Sequence, residues 1–93
     1  MKIIQSPLFA RKVKKFHKDQ KLELDRIIKK LAKDSTIGEE KRGDLQGIFI
    51  YKFKIKTIHY LLAYRFKEEP LELITIGPHE NYYRDLKIYL KSK

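Results

Sequence analysis

Ile48 to Phe66 reads IFIYKFKIKTIHYLLAYRF, and this stretch decides the fold. Its apolar residues recur at every second position, not at every third or fourth. Phe49, Tyr51, Phe53 and Ile55 fall on one side of an extended chain and Lys52, Lys54 and Lys56 on the other, because successive strand side chains point to opposite faces. The pattern repeats in Ile58 to Phe66. There Ile58, Tyr60, Leu62, Tyr64 and Phe66 are expected inward, and His59, Leu61, Ala63 and Arg65 outward. Two neighbouring strands, 48–56 and 58–66, therefore share one core face and one open face that carries a row of lysines.

Working downstream, Glu68-Glu69-Pro70 turns the chain and Leu71 to Ile76 forms the third strand of an antiparallel meander, ended by Gly77-Pro78. Asn81 to Lys91 then fits a closing helix, with Tyr82, Leu86 and Tyr89 along one side. Upstream, Asp34 to Gly47 is polar and holds three glycines, which reads as a loop leading into the sheet. Before it the period is helical. Ser6-Pro7 can start a helix, since a Ser side chain caps free N–H groups and Pro fits the first turn. Leu8, Phe9, Val13 and Phe16 follow at helical spacing. A second helix begins near Asp19, with Leu24, Ile27, Ile28 and Leu31 as its apolar stripe. The two make a hairpin, preceded by a short strand at Lys2 to Gln5. The expected class is α+β, one domain over residues 1–93.

Hydrophobic residues make up 42% of the 93-residue chain and aromatics 12%, enough for a packed core and unlike a disordered composition. There is no cysteine, which excludes disulfides and thiolate chemistry. With three histidines and no ligand-type spacing among them, no metal centre is expected. The formal charge of +10 creates a field that attracts nucleic acid or an anionic membrane. Leu8 to Lys33 alone carries ten Lys or Arg against three Asp or Glu. Such a face is either simply solvated or contacts ribosomal RNA or an acidic partner. Membrane insertion is disfavoured, because both helical stripes are needed to cover the sheet. Met1 to Pro7 is too short and polar for a signal peptide, and the apolar run Tyr60 to Tyr64 cannot span a bilayer, so a cytoplasmic protein is expected.

Candidate chemistry gathers on the lysine face. Lys52, Lys54 and Arg65 are expected there, with His79 just beyond the neighbouring strand and Tyr83 close after it. These groups suit cleavage of a phosphodiester by the RNA's own 2′-hydroxyl, which needs a base, cations for the charge on phosphorus and an acid for the departing 5′ oxygen, but no metal. Histidine is the natural acid or base because its ordinary pKa is nearest neutrality. Closely spaced lysines can lower one another's pKa, and they equally serve as a solvated edge that blocks strand aggregation. Tyr83 can stack on an unpaired base, while Tyr82 joins the buried stripe with Leu86. His59 and His17 read as surface residues.

The element order, together with Gly43-Asp44-Leu45-Gln46-Gly47, Tyr51-Lys52-Phe53-Lys54, Leu61-Leu62-Ala63-Tyr64 and Gly77-Pro78-His79-Glu80-Asn81-Tyr82-Tyr83-Arg84-Asp85-Leu86, resembles the RelE/ParE toxin superfamily over nearly the whole chain. The resemblance implies a bacterial type II toxin that cuts mRNA in the ribosomal A site without metal or cofactor. It implies a cognate antitoxin partner, and operator DNA reached through the toxin–antitoxin complex. Lys52 and Lys54 match the basic pair of RelE-type members. His79 stands where those members have an Arg and YafQ-like members a catalytic His, and Tyr83 matches an aromatic of the latter. YafQ-like members also place an acidic catalytic residue near His59. The chain departs from RelE at Leu61, where RelE has a functional Arg; Arg65 lies about 13 Å further along the strand. Two alternatives come with the superfamily: a ParE-like inhibitor that binds DNA gyrase, and a non-catalytic member that only binds its antitoxin.

Overall fold

The computed structural model describes residues 2–91. After strand β1 (Ile3–Gln5), helices α1 (Pro7–Lys14) and α2 (Lys18–Lys33) form the hairpin. A two-residue strand, β2 (Glu39–Glu40), precedes the meander β3 (Phe49–Ile55), β4 (Ile58–Arg65) and β5 (Leu71–Pro78), and α3 (Tyr82–Lys91) follows. The class is α+β, as expected, with a five-stranded sheet ordered β1-β5-β4-β3-β2. β1 runs parallel to β5, and all other pairs are antiparallel.

The helix starts follow from their caps. Ser6 Oγ accepts from the Phe9 N–H at 3.0 Å and donates to the Ile74 carbonyl, tying the entry of α1 to the sheet. His17 takes the N-cap of α2, and Gln20 reaches back to the His17 N–H at 2.7 Å, so this helix begins slightly before Asp19. The apolar stripes of α1 and α2 then cover one face of the sheet. Phe9, Leu24, Ile27 and Leu31 pack there against Leu62, Tyr64, Leu71, Leu73 and Ile76. Tyr64, fully buried in this layer, donates to the Ser35 carbonyl at 2.7 Å and accepts from the Gly38 N–H at 3.0 Å. One phenol thus anchors the segment that leaves α2.

The opposite face corrects the sequence reading. Leu61 and Ala63, expected outward, are 1% and 0% exposed. They form a second core with Leu45, Ile48, Ile50, Ile74, Tyr82 and Leu86. The amphipathic α3 provides the cover, so the sheet is buried on both faces where this helix lies. Lys52 and Lys54 stay exposed past that cover. Three smaller differences have local causes. Residues 39–40 pair with β3 in a segment too short for any period to show. Ile58 sits at the hairpin turn and is half-exposed rather than inward. β5 runs on through Gly77 and Pro78; β1 borders it only at Leu71 to Leu73, so the N–H that Pro78 lacks is not needed on that side. Finally, β5 carries a bulge. Ala63 pairs with Thr75 but Tyr64 with Leu73, so Ile74 is an extra residue in the ladder.

Candidate functional site at the α3 rim

The strand register decides which charged side chains meet. Lys52 lies opposite Leu61, Leu61 opposite Gly77, and Lys54 opposite His59. Residues directly opposite share a face, so Lys52, Lys54, His59 and Gly77 are all on the α3 side. With neighbouring strands about 4.8 Å apart, the Lys52 and Gly77 main chains are about 10 Å from one another. His79 follows two positions after Gly77, where β5 has ended. The corner after it is fixed by the Tyr82 N–H donating to the His79 carbonyl at 3.2 Å and the Asp85 N–H to the Asn81 carbonyl at 3.1 Å. Asn81 adopts φ +58°, a left-handed conformation that Asn accepts more readily than most residues.

Tyr82 and Tyr83 divide as helical spacing predicts. Tyr82 is buried, donates to the Thr75 carbonyl at 2.9 Å, and burial pushes its pKa far above the ordinary phenol range. Tyr83 is half-buried at the rim. Its ring meets that of His79 edge-on, with centroids 6.2 Å apart. Lys41 Nζ stands over the same ring, 5.3 Å from its centroid. Lys41 in turn donates to Glu39 at 2.6 Å. That bond holds the Glu39 carboxyl below its usual range, helped by the charge of Lys41 and, to a smaller degree, of Lys52. The same bond raises the pKa of the Lys41 ammonium, and Tyr83 adds to the effect. His79, Tyr83, Lys41, Glu39 and Lys52 thus follow one another around the edge of the second core.

Arg65 is not brought to this group. It lies opposite Glu72 and donates to that carboxylate at 2.6 Å, four residues along β4 from Leu61. A separate hollow beside Phe66, Glu69 and Pro70 is lined by this pair. Leu61 itself is a packing residue: it fills the core beneath Tyr82 and Leu86, which leaves no room for a solvated guanidinium. Lys41 and Glu39 are the members that the sequence reading missed. They fall in the stretch read as a loop, and only the dense charge of Glu39-Glu40-Lys41-Arg42 hinted at a role.

A comparison with family models matches residues 3–87 to the ParE-like toxin of type II bacterial toxin–antitoxin systems. Comparison with curated proteins gives no match. No helix of the described residues is long and apolar enough to cross a membrane. The match runs from β1 into α3, spanning both cores and the rim between them, and the chain accordingly belongs to the ParE-like toxins within the RelE/ParE superfamily.

Proposed function

We propose that this toxin is an endoribonuclease that cleaves mRNA on the ribosome by attack of the RNA's own 2′-hydroxyl. The observation that carries this reading is the register: Lys52, Lys54, His59 and the corner bearing His79 and Tyr83 all come to one rim of the sheet. In the reaction a base takes the 2′ proton, the 2′ oxygen bonds to phosphorus and the bond to the 5′ oxygen breaks. An acid protonates that oxygen, leaving a 2′,3′-cyclic phosphate and a 5′-hydroxyl end. His79 serves one proton transfer and His59, across from Lys54, the other. Lys52 and Lys54 stabilise the charge that develops on the phosphoryl oxygens, the kind of preorganised stabilisation that dominates many enzymatic rate enhancements. Tyr83 positions the nucleotide. Arg65, held by Glu72, has no part in this step.

The basic hairpin supports a ribosomal target. A hollow of about 670 Å³ between α1 and the ends of β4 and β5 is lined by Arg11, Lys12, Lys14, Lys15 and His17, with Phe16 and Tyr60 among its apolar walls. Such a surface suits the phosphates of ribosomal RNA. The experiment is mRNA cleavage on programmed ribosomes with mapping of the new ends. His79→Ala and Lys52→Ala are expected to abolish the cuts, and undiminished cleavage by both variants overturns the assignment.

A second reading, inhibition of DNA gyrase by binding, is favoured by the ParE-like family match and by Leu61 standing where RelE has its functional Arg. It predicts intact mRNA and loss of supercoiling in a gyrase assay.

A further inference from the structure

Tyr83 also lines a hollow of about 200 Å³, together with Lys41, Arg42, Asp44, Leu45 and Lys87. Three of these six are cations, while Asp44 is the single anion. The fold holds them together by several independent means. The Lys41 N–H donates to the Ile48 carbonyl at 2.8 Å, and the Gln46 N–H to the Gly43 carbonyl at 3.0 Å. Gly43, at φ +68°, closes the tight turn between Arg42 and Asp44. Leu45, 5% exposed, forms the floor, and Lys87 enters from α3 one turn after Tyr83. Lys41 is engaged by Glu39, and Lys87 lies 3.8 Å from Asp44. Arg42 makes no ion pair among the described residues. With Lys41 and Lys87 partly balanced by these carboxylates, Arg42 leaves the hollow a positive excess that a bound anion would offset.

We infer that this hollow is a subsite for a backbone phosphate of single-stranded RNA, next to the phosphate cut at the His79 rim. The chemistry specifies the ligand. Arg42 offers a planar fork of donors matched to phosphate oxygens, and Lys87 a point charge. Tyr83 is shared by the two places, its ring centroid 6.2 Å from that of His79 and 5.3 Å from Lys41 Nζ, so a chain that passes the tyrosine meets both. The ligand's identity as RNA rests on the nuclease reading above, whereas the anion site rests on the hollow alone.

The test separates the two. Binding of a short fluorescent oligouridylate to the toxin, without ribosomes, is titrated by anisotropy at several salt concentrations. Arg42→Gln combined with Lys87→Gln leaves the Glu39–Lys41 pair and every proposed reacting group in place. It is expected to weaken binding about tenfold and to reduce the salt slope by about 0.7, the value for one lost phosphate contact on a single strand. Lys87→Arg, with Arg42 intact, should bind like the parent toxin. Unchanged affinity and slope in the double variant overturn the subsite. Competition by inorganic phosphate as effective as that by the oligonucleotide overturns its assignment to RNA, leaving a free-anion site. Loss of antitoxin binding with RNA affinity unaltered also overturns it, in favour of protein docking. A toxin that binds the oligonucleotide as described but never cuts mRNA removes the nuclease reading and keeps the subsite.

Discussion

The two faces of the sheet are made by the same strands and covered in different ways. On the α1/α2 face a sixteen-residue helix and an eight-residue helix lie over Leu62, Tyr64, Leu71, Leu73 and Ile76. On the other, the ten-residue α3 and the turn around Leu45 cover Ile50, Leu61, Ala63 and Ile74 and then stop, leaving Lys52 and Lys54 in solvent. The lesson is that incomplete cover creates the chemical opportunity. Where a second layer ends over a charged strand, Lys52, Lys54 and His59 stand on strands instead of on a loop, with His79 at the corner just past the end of β5.

The largest contrast should appear in rate. His79→Ala is expected to slow mRNA cleavage on programmed ribosomes by roughly 10²- to 10⁴-fold, the ordinary contribution of a positioned acid or base, while changing stability by less than about 0.5 kcal/mol. A large fall in unfolding free energy for this variant would mean that the rim belongs to the core. The reverse pattern is expected across the sheet. Leu62→Ala, at a position 0% exposed, should lower unfolding free energy by about 2–5 kcal/mol in urea melts and leave the folded fraction as active as before.

Tyr82→Phe probes the seam between the two regions. Removing its hydroxyl leaves the Thr75 carbonyl without this donor and should cost about 1–3 kcal/mol at neutral pH. The pH dependence has a definite sign. Burial raises the folded pKa of Tyr82 above its unfolded value near 10, so its contribution is fully present below about pH 10. Above that it is lost as the unfolded chain ionises, at up to about 1.4 kcal/mol per pH unit. The variant's stability should therefore fall less steeply than the parent's in alkaline urea melts; parallel curves would show that Tyr82 does not titrate this way. Arg65→Gln carries the smallest expected effect. Its partly exposed pair with Glu72 is worth less than about 1 kcal/mol, and cleavage should stay within a few-fold of the parent. If it abolished cleavage as His79→Ala is expected to, the separation of the two ends of β4 would have no functional meaning.

Much of this architecture is written in local signals. Ser6-Pro7 marks a helix start by cap chemistry, Leu24, Ile27 and Leu31 mark a buried stripe by spacing, and Lys52 and Lys54 mark an exposed strand face by alternation. Those signals concern one element at a time. Alternation puts Leu61 and Ala63 on the lysine face, since it tells which residues share a face but not whether another layer arrives to bury it. The approach of Lys41 to Tyr83 is likewise invisible, because it joins residues 42 positions apart, from a segment whose strand is only two residues long. His79 and Tyr83 are legible as a pair because they stand only four positions apart, across the corner between β5 and α3.

The extra residue at Ile74 works as a phase shifter. Before it, Leu71 and Leu73 point toward the helical hairpin; after it, odd-numbered positions point the other way, so Gly77 and the approach to His79 look toward α3. An uninterrupted ladder would send the imidazole to the opposite surface, away from the lysines. Excising this single isoleucine would consequently do more than open a void: it would turn the remainder of β5 over, and the two halves of the proposed site would part company though every side chain proposed to react remained in the chain.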